Sequence, residues 1–292
     1  MTPEARPFHL PAAGGLAGLC AGEGAPLLLV HSVNAAASVA EMRPLFERWS
    51  PRRRVFAVDL PGFGASSRAP RAYTPRLMTD ALLATVDHIR AQCGPVPIDA
   101  LALSTGCEFL ARAASERPTH FGRLALVSPT GLRGLRAWRG APGSTRFMPG
   151  LHRALSQPLW AGALFRSLTR PGVVRYFLEK TWGSKAIDEQ LWRDAVQAAR
   201  APGAEHAPLY FLSAGLFSAD ILSVYEALRQ PVWVCHGTRG DFTDYRGLVH
   251  LQGRPNWEVT VQDGGAMPYF EQPEHFDRAF SRFLAGPAAP AA

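Results

Sequence analysis

Six short apolar runs, each about the length of a β-strand, are the feature that most limits the fold of this sequence. They are nearly continuous rather than alternating, and glycine, proline or polar turn residues bound them. Runs of this kind are typical of strands that are buried on both faces of a parallel sheet. They occupy residues 26–31, 54–60, 98–103, 124–127, 231–236 and 257–261.

Helical periodicity fills two of the intervals between these runs. Residues 74–94 carry apolar side chains at helical spacing and end at Gly94, a favourable C-cap, and a shorter amphipathic segment after Ser104 stops before Pro118. Alternating strands and helices predict an α/β fold with a doubly wound, mostly parallel sheet. Ligands of such sheets bind at the carboxyl ends of the strands.

The strand pattern is interrupted once, by a long segment rich in aromatic residues. We interpret residues 132–229 as a helical lid insertion, with residues 1–131 and 230–285 as the two parts of the core. The aromatic side chains either pack a small core of the lid itself, which is the more frequent case, or line an apolar pocket. Residues 286–292 are of low complexity and are predicted to form a disordered tail.

Composition excludes several functional classes. No run approaches the roughly 20 apolar residues of a membrane-spanning helix, so we expect no transmembrane segment. The first residues do not resemble a secretory signal, and we expect a cytoplasmic protein. Four scattered cysteines without CxxC spacing argue against a disulfide framework or a zinc site, and no metal or organic cofactor is implied.

The formal charge of +7 does not by itself predict an acidic partner. Of the 31 basic residues 29 are arginine, and they are spread along the chain without a recognition motif. We therefore expect a small apolar substrate or ligand and no nucleic acid as partner. The sequence does not predict the oligomeric state.

A serine between a strand and a helix is the strongest local signal for chemistry. Ser104 directly follows the run 98–103, and a helix begins after it, which is the arrangement of a nucleophile elbow. The tight turn requires small residues two positions before and after the serine, and these are Ala102 and Gly106. A serine that only caps a helix would give the same local pattern.

Two further motifs resemble the α/β-hydrolase family. In that family a strand ends in His-Gly before the oxyanion loop, and here His31 is followed by Ser32 in place of the glycine. A later strand ends in D-x-P-G-x-G-x-S, and residues 59–66 match that motif in full. The resemblance implies that Ser104 is a nucleophile on an α/β-hydrolase fold.

The same resemblance implies the groups around the serine. The backbone amides of Val33 and Thr105 would form the oxyanion hole, with the side chain of Asn34 nearby. The acid of the family follows a late strand, and Asp241 is the first choice, with Asp244 as the alternative.

The last family motif departs from the pattern at the decisive position. The family has G-H-x-P with E-x-P downstream, and this chain has GAMP at residues 265–268 and EQP at residues 271–273. Ala266 therefore occupies the histidine position. A serine hydroxyl is a poor nucleophile until a neighbouring base takes its proton.

Three explanations for Ala266 stay open. The alanine could be an introduced substitution, another group could supply the base, or the fold could bind without hydrolysing. His236 is the best placed substitute because it ends a strand at the carboxyl edge of the sheet. The other candidates are His31, His250, His275, Asp241 and Tyr269.

These observations predict two functions. The first is hydrolase-like chemistry on an apolar ester, thioester or related carbonyl substrate, with Ser104 as nucleophile and Asp241 as the orienting or substitute acid-base group. The alternative is a catalytically impaired pseudo-hydrolase that binds an apolar small molecule or a partner under its lid.

Overall fold

An eight-stranded sheet forms the centre of the computed structural model, which describes residues 3–286. Its order is β1-β2-β4-β3-β5-β6-β7-β8; β2 runs antiparallel to β1 and β4, and the other neighbours are parallel. The strands are β1 (Arg6–Leu10), β2 (Leu16–Ala21), β3 (Pro26–Val30), β4 (Arg54–Asp59), β5 (Ile98–Leu103), β6 (Phe121–Val127), β7 (Val232–Gly237) and β8 (Trp257–Gln262). The doubly wound, mostly parallel sheet predicted from the apolar runs is confirmed.

Helices cover both faces of this sheet. Along β3, Leu28 and Val30 face one core with α2 (Pro75–Cys93) and α3 (Gly106–Glu116). Leu27 and Leu29 face the other core with α1 (Arg43–Trp49) and α11 (Pro273–Ala285). Successive side chains of a strand point to opposite faces, so a strand buried on both sides must be apolar throughout.

Between β6 and β7 the chain forms six helices, all within the predicted insertion 132–229. They are α4 (Pro149–Leu155), α5 (Ala161–Leu168), α6 (Pro171–Trp182), α7 (Glu189–Ala198), α8 (His206–Leu212) and α9 (Ile221–Glu226). A short helix α10 (Pro268–Glu271) precedes α11, and 3-10 turns occupy Pro11–Ala13, Val39–Met42, Pro118–His120 and Arg246–Leu251. The predicted tail falls, apart from Gly286, on residues 287–292, which lie outside the described part of the chain.

The two ends of the insertion are hydrogen-bonded to each other. The amide of Arg146 donates to the carbonyl oxygen of Phe217 over 2.9 Å, and the amide of Ala219 donates to that of Ser144 over 2.8 Å. These paired segments, residues 144–146 and 217–219, form a stem that leads from the core to the helices.

One face of α3 holds this stem through two charged residues that are four positions apart. The fully buried carboxylate of Glu108 accepts from the Ser218 amide over 2.8 Å and lies 3.6 Å from the Arg146 guanidinium. Arg112 pairs with Asp220 over 2.6 Å. Burial raises the pKa of Glu108, and its hydrogen bonds oppose that rise.

Glu108→Ala is expected to reduce the free energy of unfolding by about 2 to 4 kcal/mol, because Arg146 and the Ser218 amide would lose a buried acceptor. Glu116→Ala, at the exposed end of the same helix, is the control and should cost less than about 1 kcal/mol. Denaturant unfolding of both variants checks this; equal losses would contradict the buried anchor.

Gly106 allows α3 to begin directly against the end of β3. A Cβ at this position would lie 2.4 Å from the carbonyl oxygen of His31, which is backbone and cannot move aside alone.

Gly106→Ala is therefore expected to destabilise the fold by about 1 to 3 kcal/mol. Gly150→Ala in the first turn of α4 is the matched control, since no atom lies within 4 Å of its added Cβ. Similar midpoints of chemical unfolding for the two variants would refute this close approach.

Candidate active site

Ser104 has the backbone geometry of a nucleophile elbow. It follows β5 directly with φ of 53°, in the left-handed region that non-glycine residues seldom adopt. Its amide donates to the Val127 carbonyl oxygen over 2.8 Å, and its own carbonyl oxygen accepts from the Cys107 amide over 3.0 Å. No hydrogen bond joins Ser104 Oγ to another group among residues 3–286, and the residue is partly exposed. The turn therefore presents a free hydroxyl at the carboxyl edge of the sheet.

Two backbone amides near this hydroxyl are also without an acceptor. In the described part of the chain, neither the Val33 amide nor the Thr105 amide donates a hydrogen bond to another residue. The close approach of Gly106 to His31 O brings the β3 loop and the start of α3 together. Thr105 precedes the N-terminus of α3, where the helix dipole favours negative charge. The arrangement is suited to an oxygen that carries negative charge.

Ser32, where the family has glycine, is held by a buried carboxylate. Glu41 accepts from the Ser32 amide over 2.8 Å and from the Ser32 hydroxyl over 2.9 Å. The Asn34 amide group donates to Glu41 over 2.7 Å and to the Ser32 hydroxyl over 3.0 Å. Both N–H groups of the Asn34 side chain are thus used within the loop, and Asn34 stabilises the loop that carries Val33.

Ala266 lies in a turn whose backbone is fully engaged. Its amide donates to the Thr181 carbonyl oxygen over 3.0 Å, and its carbonyl oxygen accepts from the Ser128 hydroxyl over 2.8 Å. Glu271, from the downstream EQP motif, accepts from the Gly265 amide over 2.6 Å. The side chain at the histidine position is a buried methyl group, which cannot accept a proton.

Within residues 3–286, no hydrogen bond links the Asp241 side chain to Ser104. The Asp241 side chain is 57% exposed and lies 3.7 Å from Lys180 Nζ, and its amide donates to the Lys180 carbonyl oxygen over 3.1 Å. Asp244 forms a salt bridge of 2.9 Å with Arg246. Each of the two carboxylates predicted as the acid has a basic partner near the surface.

The C-terminal end of α6 contacts the loops after β7 and β8, which hold the predicted acid Asp241 and Ala266. A Cβ at Gly240 would lie 2.5 Å from the Lys180 carbonyl oxygen, and a Cβ at Gly265 would lie 2.6 Å from Trp182 Cα. Glycine is required at both positions because backbone of the insertion fills the space. The insertion therefore packs directly against the β7 and β8 loops.

Three of the candidate histidines are used elsewhere or lie on the surface. His31 is fully buried: its Nδ1 donates to the Ser32 carbonyl oxygen over 2.5 Å, and its Nε2 accepts from the Leu60 amide over 2.9 Å. Its two nitrogens are thus occupied in a structural role. His250 bonds to a backbone carbonyl oxygen, and His275 lies exposed on α11.

His236 and Tyr269 are buried on different sides of the sheet. The His236 ring stacks on Tyr245 with centroids 4.0 Å apart, and its Nδ1 lies 3.1 Å from the Gly237 carbonyl oxygen. Burial lowers the pKa of His236. Tyr269 packs in the second core, where burial raises its pKa. Neither side chain forms a hydrogen bond with Ser104 in the structure of residues 3–286.

Two polar residues at the carboxyl edge of the sheet, Ser128 and Tyr245, were not predicted from the sequence. Ser128 directly follows β6 with φ of 48°, and its amide donates to the Cys235 carbonyl oxygen over 2.8 Å. Tyr245 stacks on the His236 ring, and burial raises the pKa of Tyr245. The position of Ser128 directly after a buried strand, like that of Ser104, is the signal that could have found it.

A large groove of the molecule does not include Ser104, where an apolar pocket is expected. That groove, of about 850 Å³, is bordered by Val39, Asp59, Arg68 and Gln197.

Among residues 3–286, no group of three or more His, Cys, Asp or Glu side chains is placed to hold a metal ion. In the same part of the chain, no helix has the length and apolarity to cross a membrane.

The pH dependence of stability is expected to contain a contribution from His236. Its folded pKa lies below the unfolded value of about 6.5, so its contribution is present above that pH and is lost as pH falls through the folded pKa. His236→Phe keeps a ring against Tyr245 and cannot be protonated. Urea unfolding at a series of pH values should therefore show a steeper loss below about pH 6.5 for the unmodified chain than for the variant. If the free energy of unfolding falls equally with pH in both proteins, His236 is not held as a buried neutral imidazole.

A family model and several solved structures are similar to this chain. The model of the alpha/beta hydrolase family matches residues 27–276. Comparison with curated protein sequences finds no match.

Several solved structures share the whole fold at low sequence identity. The 2-hydroxy-6-oxo-6-phenylhexa-2,4-dienoate hydrolase from Rhodococcus sp. strain RHA1 has a TM-score of 0.74 at 18% identity, covering 98% of this chain and 100% of that one. The epoxide hydrolase CorEH has a TM-score of 0.73 at 20% identity, covering 97% and 99%. A variant of the haloalkane dehalogenase DatA from Agrobacterium tumefaciens C58 has a TM-score of 0.71 at 21% identity, covering 97% of each chain. With its eight-stranded sheet, its serine elbow and the family match over most of its length, the chain belongs to the α/β hydrolase family.

Proposed function

We propose that this chain is a binding member of its family: it holds an apolar small molecule through a carbonyl or carboxylate oxygen at Ser104, without ordinary triad hydrolysis. The observation that supports this most is the imbalance of hydrogen-bonding groups. The Ser104 hydroxyl and the Val33 and Thr105 amides are free, while Ala266 offers no proton acceptor.

The imbalance has a definite chemical consequence. Hydrolysis through a serine requires a base that takes the hydroxyl proton, and in a well-studied protease the loss of the histidine alone lowers kcat by about a millionfold. Binding of an oxygen by hydrogen-bond donors needs no such base. A carboxylate is the best ligand for this set, because it accepts several hydrogen bonds and carries the charge that the α3 N-terminus favours.

Aromatic contacts between insertion and core support an apolar remainder of the ligand. Tyr210 of α8 lies 5.9 Å from Tyr73 and stacks on Phe147 at 5.7 Å, measured between ring centroids. Ligand sites are mostly apolar with a few placed polar groups, and these rings would suit such a site beneath a lid.

Serine hydrolysis of an ester, thioester or related carbonyl compound is the second candidate. The strained backbone of Ser104 favours it, since such strain is usually kept at functional positions. In this candidate Ser104 is the nucleophile, His236 turns its free nitrogen toward the hydroxyl, and Asp241 leaves Lys180 to orient a proton acceptor.

Labelling with a fluorophosphonate probe separates the two candidates. If the chain is a binder, intact-mass spectrometry should find no adduct on Ser104 under conditions that label an active serine hydrolase completely. An adduct on Ser104 that is absent in Ser104→Ala would overturn the proposal and favour hydrolysis.

Carboxylate binding is tested separately by thermal unfolding with octanoate and phenylacetate. Both ligands should raise the Tm of the unmodified chain. In Ser104→Ala the affinity is expected to fall about tenfold, the effect of one lost hydrogen bond, while Ser115→Ala, on the following helix α3, should behave like the unmodified chain. A Tm that neither carboxylate changes would contradict the proposal.

A further inference from the structure

Acidic residues are almost absent from the first half of the insertion. The whole chain has 31 Lys and Arg residues and 24 Asp and Glu residues, and residues 132–182 contain nine of the basic residues but only Glu179 as an acid. The rest of the chain has 22 basic and 23 acidic residues, so it is close to neutral. The positive charge of the protein is thus concentrated in one segment of α4, α5, α6 and their connections.

The same segment exposes large apolar side chains. Leu159 is 89% exposed and Trp160 49%, at the start of α5, and Tyr176 and Phe177 on α6 are 53% and 57% exposed. Single exposed apolar residues are common, but a cluster of this kind marks an interaction site. None of these four side chains is needed to fill either core of the sheet.

The exposed residues lie on outward faces of two consecutive helices. On α5, Arg166 is exposed, as is Arg170 just after the helix, whereas Phe165 is buried. On α6, Tyr176 and Phe177 are exposed and Val174 is buried. Only Thr169 and Arg170 separate the two helices. We call the exposed residues of these two consecutive helices and their flanking turns, Leu159, Trp160, Arg166, Arg170, Tyr176 and Phe177, the α5–α6 face.

Several cations of this region have no acidic partner. Within residues 3–286, Arg153, Arg166 and Arg170 form no salt bridge, whereas Lys180 is paired with Asp241 and Arg175 with Glu189. Guanidinium groups without an acidic partner and exposed aromatic rings in the same short segment are the combination found on helices that lie in the plane of a membrane surface.

We propose that the α5–α6 face docks on an anionic lipid surface. Leu159, Trp160, Tyr176 and Phe177 would enter the headgroup region, and Arg166 and Arg170 would contact lipid phosphates and carboxylates. Each cation near such a surface adds attraction, and the apolar side chains add burial that salt does not weaken. This docking does not depend on the ligand or the chemistry at Ser104.

Sedimentation with vesicles tests the proposal on the full chain. The protein should sediment with vesicles of phosphatidylcholine and phosphatidylserine and much less with phosphatidylcholine alone. Raising the salt from about 0.1 M to about 1 M shortens the screening length from about 10 Å to about 3 Å and should release most of it. Equal binding to both kinds of vesicle, or none to either, would overturn the proposal.

Matched pairs of variants locate the surface. Arg166→Glu with Arg170→Glu should weaken binding at least about tenfold, whereas the same charge change on α11, Arg278→Glu with Arg282→Glu, should weaken it far less. Leu159→Ser with Phe177→Ser should also weaken binding, and Val259→Ser with Val261→Ser on the edge strand β8 is its control. Circular dichroism verifies that each variant folds.

Equal loss in the α5–α6 variants and their controls would mean that net charge alone drives binding, which overturns the docking face. Salt-sensitive binding to an acidic protein or to DNA, together with no binding to anionic vesicles, would likewise assign the face to another class of partner.

Discussion

The packing of the α6 C-terminus against two loops is the contact on which the character of this site depends. The carbonyl oxygens of Lys180 and Thr181 accept hydrogen bonds from the amides of Asp241 and Ala266. These loops hold Asp241, the predicted acid, and Ala266, at the position predicted for a histidine, and their backbone supports the insertion. The Asp241 carboxylate pairs with a lysine of the same insertion.

The Val33 loop and the Ser104 turn keep their hydrogen-bond donors free. Ser104 retains a left-handed backbone that costs energy, and Glu41 fixes the loop that carries the Val33 amide even though serine has replaced the usual glycine. In the proposed function these donors bind an oxygen of the ligand, which needs no base to activate the Ser104 hydroxyl.

The sequence predicted the sheet well because five of the six predicted strands are largely buried on both faces and leave continuous apolar runs. The sixth, β8, has an apolar run although it is the edge strand, and its Val259 and Val261 are exposed. The sequence missed β1 and β2, which lie at the edge and pair antiparallel; Gly18 of β2 approaches Phe8 and the backbone of Ala57, so packing rather than apolar content marks that strand.

At the candidate site, the sequence singled out Ala266 through the register of the last motif. It could not predict the direction of the Asp241 side chain, because spacing gives a position along the loop and the partner Lys180 comes from a distant helix. The roles of Glu108 and Ser128 depend in the same way on contacts across the fold.

The interlocked glycines at the end of α6 have a consequence for evolutionary change. Gly183, Gly240 and Gly265 each leave room for backbone of a neighbouring loop, so three segments must move together if any one of them is to change. A histidine at position 266 would stand in a turn whose amide is already bonded to the end of α6, and the carboxylate of Asp241 faces solvent. A larger side chain in this turn would therefore require adjustments in the insertion as well as in its own loop.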